Sequence, residues 1–227
     1  NPADTTLRLV GPDNVVFNNL TFQTISSKGL IRIENGCDNI KFDSIHFVNA
    51  NIFSEANIFN KNNSFSNCIF ESDLYFNRTP KSDTTRYTLK INNCLFFNSL
   101  IQIEMLDTIS ITKNRFITNN DKFFPGSDIT AINITIVGGK TTIAKNYIEG
   151  IYKHGIAVRD YNTVKPGNAT IENNSITSTG TMLKPLYCYG LGTASIFYNS
   201  IAASHADTST ANSSLILDNI KNVNLKN

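Results

Sequence analysis

The chain has 227 residues, of which 41% are hydrophobic and 17% charged, with no Trp and a net charge of +2. Such a balance lacks the strongly basic surface of most nucleic-acid readers, and neither an 18-residue apolar run nor a secretory signal pattern is present. No nucleic-acid partner and no membrane span are therefore expected, and residues 1–227 read as a single domain with one continuous core.

In chain order, a short unit recurs in which an apolar residue is followed five positions later by another, with mainly polar or small residues between. It pairs Phe17 with Phe22, Phe42 with Phe47, Phe65 with Phe70, Ile91 with Phe96, Ile111 with Phe116, Ile143 with Ile148, Ile171 with Ile176 and Ile196 with Ile201. A last copy pairs Ile220 with Leu225. Nine copies starting between 17 and 220 give a mean spacing of 203/8, about 25 residues. A fixed period of that size signals a solenoid.

Each period carries a second, strand-like signal in which apolar residues alternate with variable ones, the pattern of a strand with one buried face. These segments are centred on Ile31, Tyr75, Ile101, Asn133, Ala157, Tyr187 and Ile216, with residues 57–59 as a poorer copy and Leu7 to Leu9 as an early one. No window sustains a helical period, and Gly, Asn, Asp and Pro punctuate the chain about every ten residues. The expected fold class is all-β, with helix content close to nil.

These residues together resemble the right-handed parallel β-helix of the pectin-lyase-like superfamily, which includes polysaccharide lyases, glycoside hydrolases and phage tailspikes. The resemblance is one of fold and covers nearly the whole chain. It implies a single-stranded β-solenoid of about nine coils with three short strands per coil. In that family an Asn in a tight turn between the second and third strands stacks on its equivalents. Asn114, Asn146, Asn174 and Asn199 occupy that slot here, a residue type that tolerates left-handed backbone and can bond along a ladder. Earlier units place Leu20, Ile45, Cys68 and Cys94 in the slot, so the ladder is expected to be apolar there.

The four cysteines have no metal-ligand spacing. Cys68 and Cys94 fall in one slot of adjacent coils, within disulfide reach, and are expected as two buried, stacked thiols. Neither terminus offers a polar cap, which a solenoid needs over its end strands. Flanking domains or subunits are expected to cover the ends, the chain being a segment of a larger protein, with a homotrimer as one arrangement.

Functional residues are sought in the departures from the repeat, because a fold does not name a reaction. Long insertions run from Thr118 to Asp128 and from Ala202 to Asn212, and on another corner from Asn77 to Arg86 and from Arg159 to Asn168. In polysaccharide-acting members of the superfamily such loops wall a groove along the first-strand sheet. The outward row of that sheet reads Arg32, Tyr75, Gln102, Asn133, Ala157 and Tyr187, types that cover sugar C–H faces and bond hydroxyls and carboxylates. Lys122 in the overhanging loop joins Arg32, Tyr75, Gln102, Asn133 and Tyr187 as a substrate-binding candidate.

Asp128, Lys153, His154 and Arg159 form the candidate catalytic group, with Asp121 and Asp160 nearby. A lyase needs a base beside a uronate carboxylate and cations to neutralise it; Lys153 or His154 fits the first role and Arg159 the second. A hydrolase needs two carboxyl groups flanking the bond, for which Asp128 with Asp160 or Glu149 are the candidates. Lys113, Arg115 and Lys145 form a second basic group on neighbouring coils. The motifs of polygalacturonases are met only faintly, at Lys153-His154-Gly155, and the acidic calcium cluster of pectate lyases has no counterpart, so no cofactor is expected. The expected function is an extracellular, cell-surface or virion β-helix that binds an anionic polysaccharide, with cleavage left open. The alternative is a non-catalytic structural or receptor-binding β-helix such as a tailspike segment or surface adhesin.

Overall fold

The computed structural model describes residues 5–24, 29–34, 36–56, 62–78, 88–119, 129–152, 154–181, 184–204 and 214–227. It is an all-β parallel solenoid, and every strand pairing among the described residues is parallel. No helix among these residues is long and apolar enough to cross a membrane.

The repeat becomes two interior columns that face each other across the coil. Phe17, Phe42, Phe65, Ile91, Ile111, Ile143, Ile171 and Ile196 stand in register down one of them. Phe22, Phe47, Phe70, Phe96, Phe116, Ile148, Ile176 and Ile201 stand down the other, in an eight-stranded sheet. Stacking one rung on the next brings like residues about 4.8 Å apart. The rings obey that spacing: Phe42 and Phe65 lie 4.8 Å apart at 3°, Phe70 and Phe96 4.5 Å at 3°, and Phe96 and Phe116 4.6 Å at 7°. All but the outermost members of the columns are buried, and each is worth roughly 1.5–3 kcal/mol of apolar burial.

The final copy departs from its expected register. Leu225, not Ile220, pairs with Ile196 and so continues the first column. Ile220 instead packs partly buried against the core. The unit's spacing is satisfied there by chance, since both residues belong to different corners of the coil.

Two further expectations are corrected. The poorer strand copy at residues 57–59 lies outside the described residues, and the strand of that coil is Ala50–Ala56, which pairs with Gly29–Glu34 and with Leu74–Arg78. It follows His46–Val48 after a single left-handed residue, Asn49 at φ 53°, so no run of turn residues announces it. Nor are all strands short: Ile101–Thr112 and Thr130–Ala144 each join a first-strand segment to the strand that carries the first interior column. They turn the corner inside the strand, the first at irregularities beside Leu106 and the second at Gly138-Gly139, with Gly138 at φ 69°.

The turn between the two interior columns is built from two adjacent positions. The Asn slot forms the expected ladder: Nδ2 of Asn114, Asn146 and Asn174 donates to Oδ1 of Asn146, Asn174 and Asn199 at 3.0, 3.0 and 2.9 Å. Each of those oxygens also accepts the backbone N–H of the Asn before it, and each Nδ2 also donates to a carbonyl of the preceding coil, Ile91, Ile111 and Ile143. The left-handed backbone, however, belongs to the residue before the slot. Asn19, Ser44, Asn67, Asn93, Lys113, Lys145, Asn173 and Tyr198 have φ between 51° and 59°. Asn is well suited to that conformation and Lys or Tyr pays a steric cost there, offset by a backbone bond to the next coil at every turn, such as Lys113 N–H to Ala144 O at 3.0 Å. In the earlier slots Ile45, Cys68 and Cys94 are buried as expected, while Leu20 is 46% exposed. All four cysteines are free thiols, and burial pushes Cys94 up.

Asn146 is 2% exposed and serves Asn114, Ile111 and Asn174 at once. Asn146→Ala is expected to cost about 1–3 kcal/mol by orphaning those groups. In a chain of this size that lowers Tm by about 2–4 °C per kcal/mol, and an unchanged thermal melt would refute the ladder's structural weight.

Candidate functional site

The outward row of the first strand column is continuous. Pairwise register links Arg8, Arg32, Phe53, Tyr75, Gln102, Asn133, Ala157, Tyr187 and Ile216 in single rungs. The five substrate-binding candidates Arg32, Tyr75, Gln102, Asn133 and Tyr187 do share one face. Phe53 was missed because its strand carries no turn signal, and Arg8 because it precedes the first full copy. From Arg32 to Tyr187 the row covers six rung steps, about 29 Å.

Its three segments differ in chemistry. At the start, Glu34 neutralises the cations: its Oε2 accepts from Arg8 Nη2 at 2.8 Å, and Arg32 Nη1 lies 3.8 Å from Oε1. The Arg8 guanidinium holds the Glu34 carboxyl below the usual carboxylate range. In the middle, Phe53 and Tyr75 stack at 4.8 Å and 23°. Tyr75 donates its hydroxyl to Asp73 Oδ2 at 2.9 Å, and the other Asp73 oxygen accepts Leu100 N–H at 3.0 Å. Burial pushes the Asp73 carboxyl above its ordinary 3.8, and burial with the nearby Asp73 charge pushes the Tyr75 hydroxyl up as well. Gln102 Nε2 donates to Glu104 Oε1 at 2.8 Å.

The last segment is cationic and aromatic. Arg159 stands one outward position beyond Ala157 on His154–Asp160 and donates from Nη1 to Asn133 Oδ1. Its guanidinium carbon lies 5.2 Å from the Tyr187 ring centroid, and Lys184 Nζ lies 5.0 Å from the same centroid. Both distances are within cation–π range. Ala157, 1% exposed, is the small residue over which these longer side chains close. Among the described residues no carboxylate forms an ion pair with Arg159 or Lys184. Lys184 is a participant that the sequence did not mark, because it precedes its strand's apolar alternation.

The catalytic candidates separate. Asp128, Lys153 and Lys122, with Asp121 and most of the loop after Thr118, lie outside the described residues, as do most of the Asn77 to Arg86 and Ala202 to Asn212 insertions. His154 is 8% exposed and in register with Thr130 and Lys184. Arg159 is the member of the group that meets side chains of the outward row. Asp160 is fully engaged: Oδ1 accepts Asn162 N–H at 2.7 Å, and Oδ2 accepts Gly138 and Gly167 N–H at 3.0 and 2.6 Å. That carboxylate, 2% exposed, holds a turn together. Glu149 lies on Tyr147–Gly150 in the other sheet, accepting the Tyr147 hydroxyl at 2.9 Å. Neither one therefore supplies a hydrolase carboxylate on this face. Lys113 and Lys145 occupy left-handed turn positions, and Arg115 sits 5.7 Å from the Tyr147 ring in the other sheet. Among the described residues no three His, Cys, Asp or Glu side chains are grouped to hold a metal ion.

No family model, no curated protein and no solved structure matches this chain.

Because burial favours the neutral Asp73 carboxyl, its contribution to stability is full below pH 3.8 and is lost as pH rises through its shifted value. Asp73→Asn keeps an acceptor for Leu100 N–H and cannot ionise. The Tm of this variant minus that of the wild type is expected to be more positive at pH 7 than at pH 4, and a pH-independent difference would refute the assignment.

Proposed function

We propose that the chain is an extracellular or surface β-helix of the pectin-lyase-like kind that binds an anionic polysaccharide along its first-strand face. The observation that carries this reading is the Tyr187 ring flanked by Arg159 and Lys184. An aromatic face between two cations is the chemistry of a sugar ring bearing a carboxylate or sulfate: the ring covers C–H groups while the cations meet the charge. Arg159 is oriented by the neutral amide of Asn133, so its charge stays available to a ligand. The half-buried row extending to Arg32 offers further aromatic and amide contacts for a polymer, at Phe53, Tyr75 and Gln102.

Two carboxylates in the middle of this face are spaced more widely than a glycosidase pair. Asp73 stands opposite Leu100, next to the Leu74 and Ile101 pair, and Glu104 is four residues further on. That is about 13 Å along the strands, beyond the ~5–9.5 Å that separate the carboxyl groups of most glycosidases. The lyase alternative rests on Arg159 as the clamp and Lys153 or His154 as the base, and it predicts new unsaturated ends on a uronate polymer.

Immobilised polygalacturonate, alginate and hyaluronate, with dextran as the neutral control, test the reading. At least one acidic polymer is expected to bind, and the binding to fall as salt rises. Arg159→Ala with Lys184→Ala is expected to weaken it at least about tenfold, since hydrogen bonds to charged groups are each worth about 1.5–3 kcal/mol. Wild-type affinity in the double variant, or equal binding to dextran, would overturn the proposal.

A further inference from the structure

Beyond Tyr187 the same strand carries Tyr189, in register with Arg159 and two residues further along, or about 7 Å. There the sheet ends at a corner recess. Tyr161, Asn162, Thr163, Tyr189, Asn219 and Lys221 line it, and Tyr161 and Tyr189 meet with ring centroids 5.6 Å apart at 49°. Its volume is about 220 Å³, below the ~300–1,000 Å³ of sites for drug-sized ligands and in keeping with one small ring.

The recess is built rather than left between loose loops. Asp160 fixes the turn behind it through three backbone N–H groups, and Asn162 Oδ1 accepts the N–H groups of Val164 and Lys165 at 3.1 and 3.0 Å. Gly190, at φ 69°, brings the next coil against this turn: a Cβ there would lie 1.9 Å from Asp160 O, so no other residue fits. Gly190 N–H then donates to Asp218 O at 3.0 Å, and Lys221 N–H to Leu191 O at 3.1 Å. Three successive coils are thereby locked around one opening. Tyr161 is nonetheless 63% exposed. A large aromatic held in solvent on a fixed turn, opposite a second aromatic and beside amides and a lysine, is a surface built to take a ligand with both C–H faces and hydroxyls.

We propose that this corner recess is a monosaccharide subsite that seats one uronate ring, its C–H face against Tyr161 and Tyr189, its hydroxyls on Asn162 and Asn219, and its carboxylate toward Lys221. The proposal rests on the reading of the first-strand face as a polysaccharide site and extends it around the corner, giving the polymer a place where one residue is anchored.

Saturation-transfer NMR on the purified chain with sodium glucuronate, and with glucose for comparison, tests it. Glucuronate is expected to receive saturation from the wild type, to lose it in Tyr161→Ala, and to lose most of it in Lys221→Ala; both side chains are exposed, and amide spectra of the variants report that the fold is kept. Equal glucuronate signal in wild type and both variants, or none in the wild type, would overturn the subsite. Glucose bound as well as glucuronate would overturn its acidic preference. Polymer binding that depends on Arg159 and Lys184 while the glucuronate result fails sinks the subsite alone. An absence of polymer binding by the wild type sinks the broader reading instead.

Discussion

Every residue of this molecule must tolerate a copy of its own position one rung, about 4.8 Å, above and below. Apolar residues profit from that constraint, because each ring or branched side chain is buried against its like, and the phenylalanine stack from Phe42 through Phe116 shows it at ring distances of 4.5 to 4.9 Å. Amides profit as well, because an Asn has both a donor and an acceptor and can pass a bond down the column. Charges do not, since like charges held a rung apart repel. The low charged fraction of 17% is in keeping with that, although Lys113 and Lys145 hold the same turn position in successive coils. Where Arg8 and Arg32 fall in adjacent rungs of one row, Glu34 stands between their heads. Where Arg159 stands, its sheet neighbours are Thr135 and Tyr189.

The same constraint decides what could be read from the sequence. Interior columns were legible because a buried position is used by an apolar residue in nearly every coil, so the spacing repeats even when the residue type changes from Phe to Ile. The Asn ladder was legible for a related reason: its partners are identical side chains. What was hidden is local backbone. The left-handed residue before the ladder is Asn in some coils but Ser44, Lys113, Lys145 or Tyr198 in others, since the bond its N–H makes to the next coil offsets a poor intrinsic preference. Ala50–Ala56 was hidden because a single Asn49 makes its corner, and the merged strands Ile101–Thr112 and Thr130–Ala144 because each bends inside an unbroken strand, the second at Gly138-Gly139. Ile220 misled because a five-residue spacing can arise across a corner as well as across a turn.

The site was legible as a face and not as a set of roles. Alternation along each strand tells which residues point out, and that sufficed to place Arg32, Tyr75, Gln102, Asn133 and Tyr187 in one row. Adjacency in sequence, by contrast, put Lys153, His154, Arg159 and Asp160 in one group although a strand sends neighbours to opposite sides. His154 is 8% exposed, and Asp160 spends its carboxylate on three backbone amides. Lys184 and Tyr161 gain their places only from stacking of coils about 25 residues apart, which no linear motif encodes.

A rigid repeating face also sets how such a molecule can bind. Sheet backbone loses little freedom when a ligand arrives, and Arg159, already tied to Asn133 and leaning on Tyr187, has little rotamer freedom left to lose, so the ordering cost that normally offsets contact energy is small. Each rung, however, offers only one or two side chains. For the proposed polysaccharide ligand, affinity would then accumulate over several sugars running along the stack, and specificity would come from the place where the repeat is broken. In the described residues that place is the corner beyond Tyr187, where a glycine-permitted approach of two coils and a carboxylate-fixed turn hold two tyrosines apart from the regular face. On the proposed reading, the regular face would supply hold and the irregular corner choice.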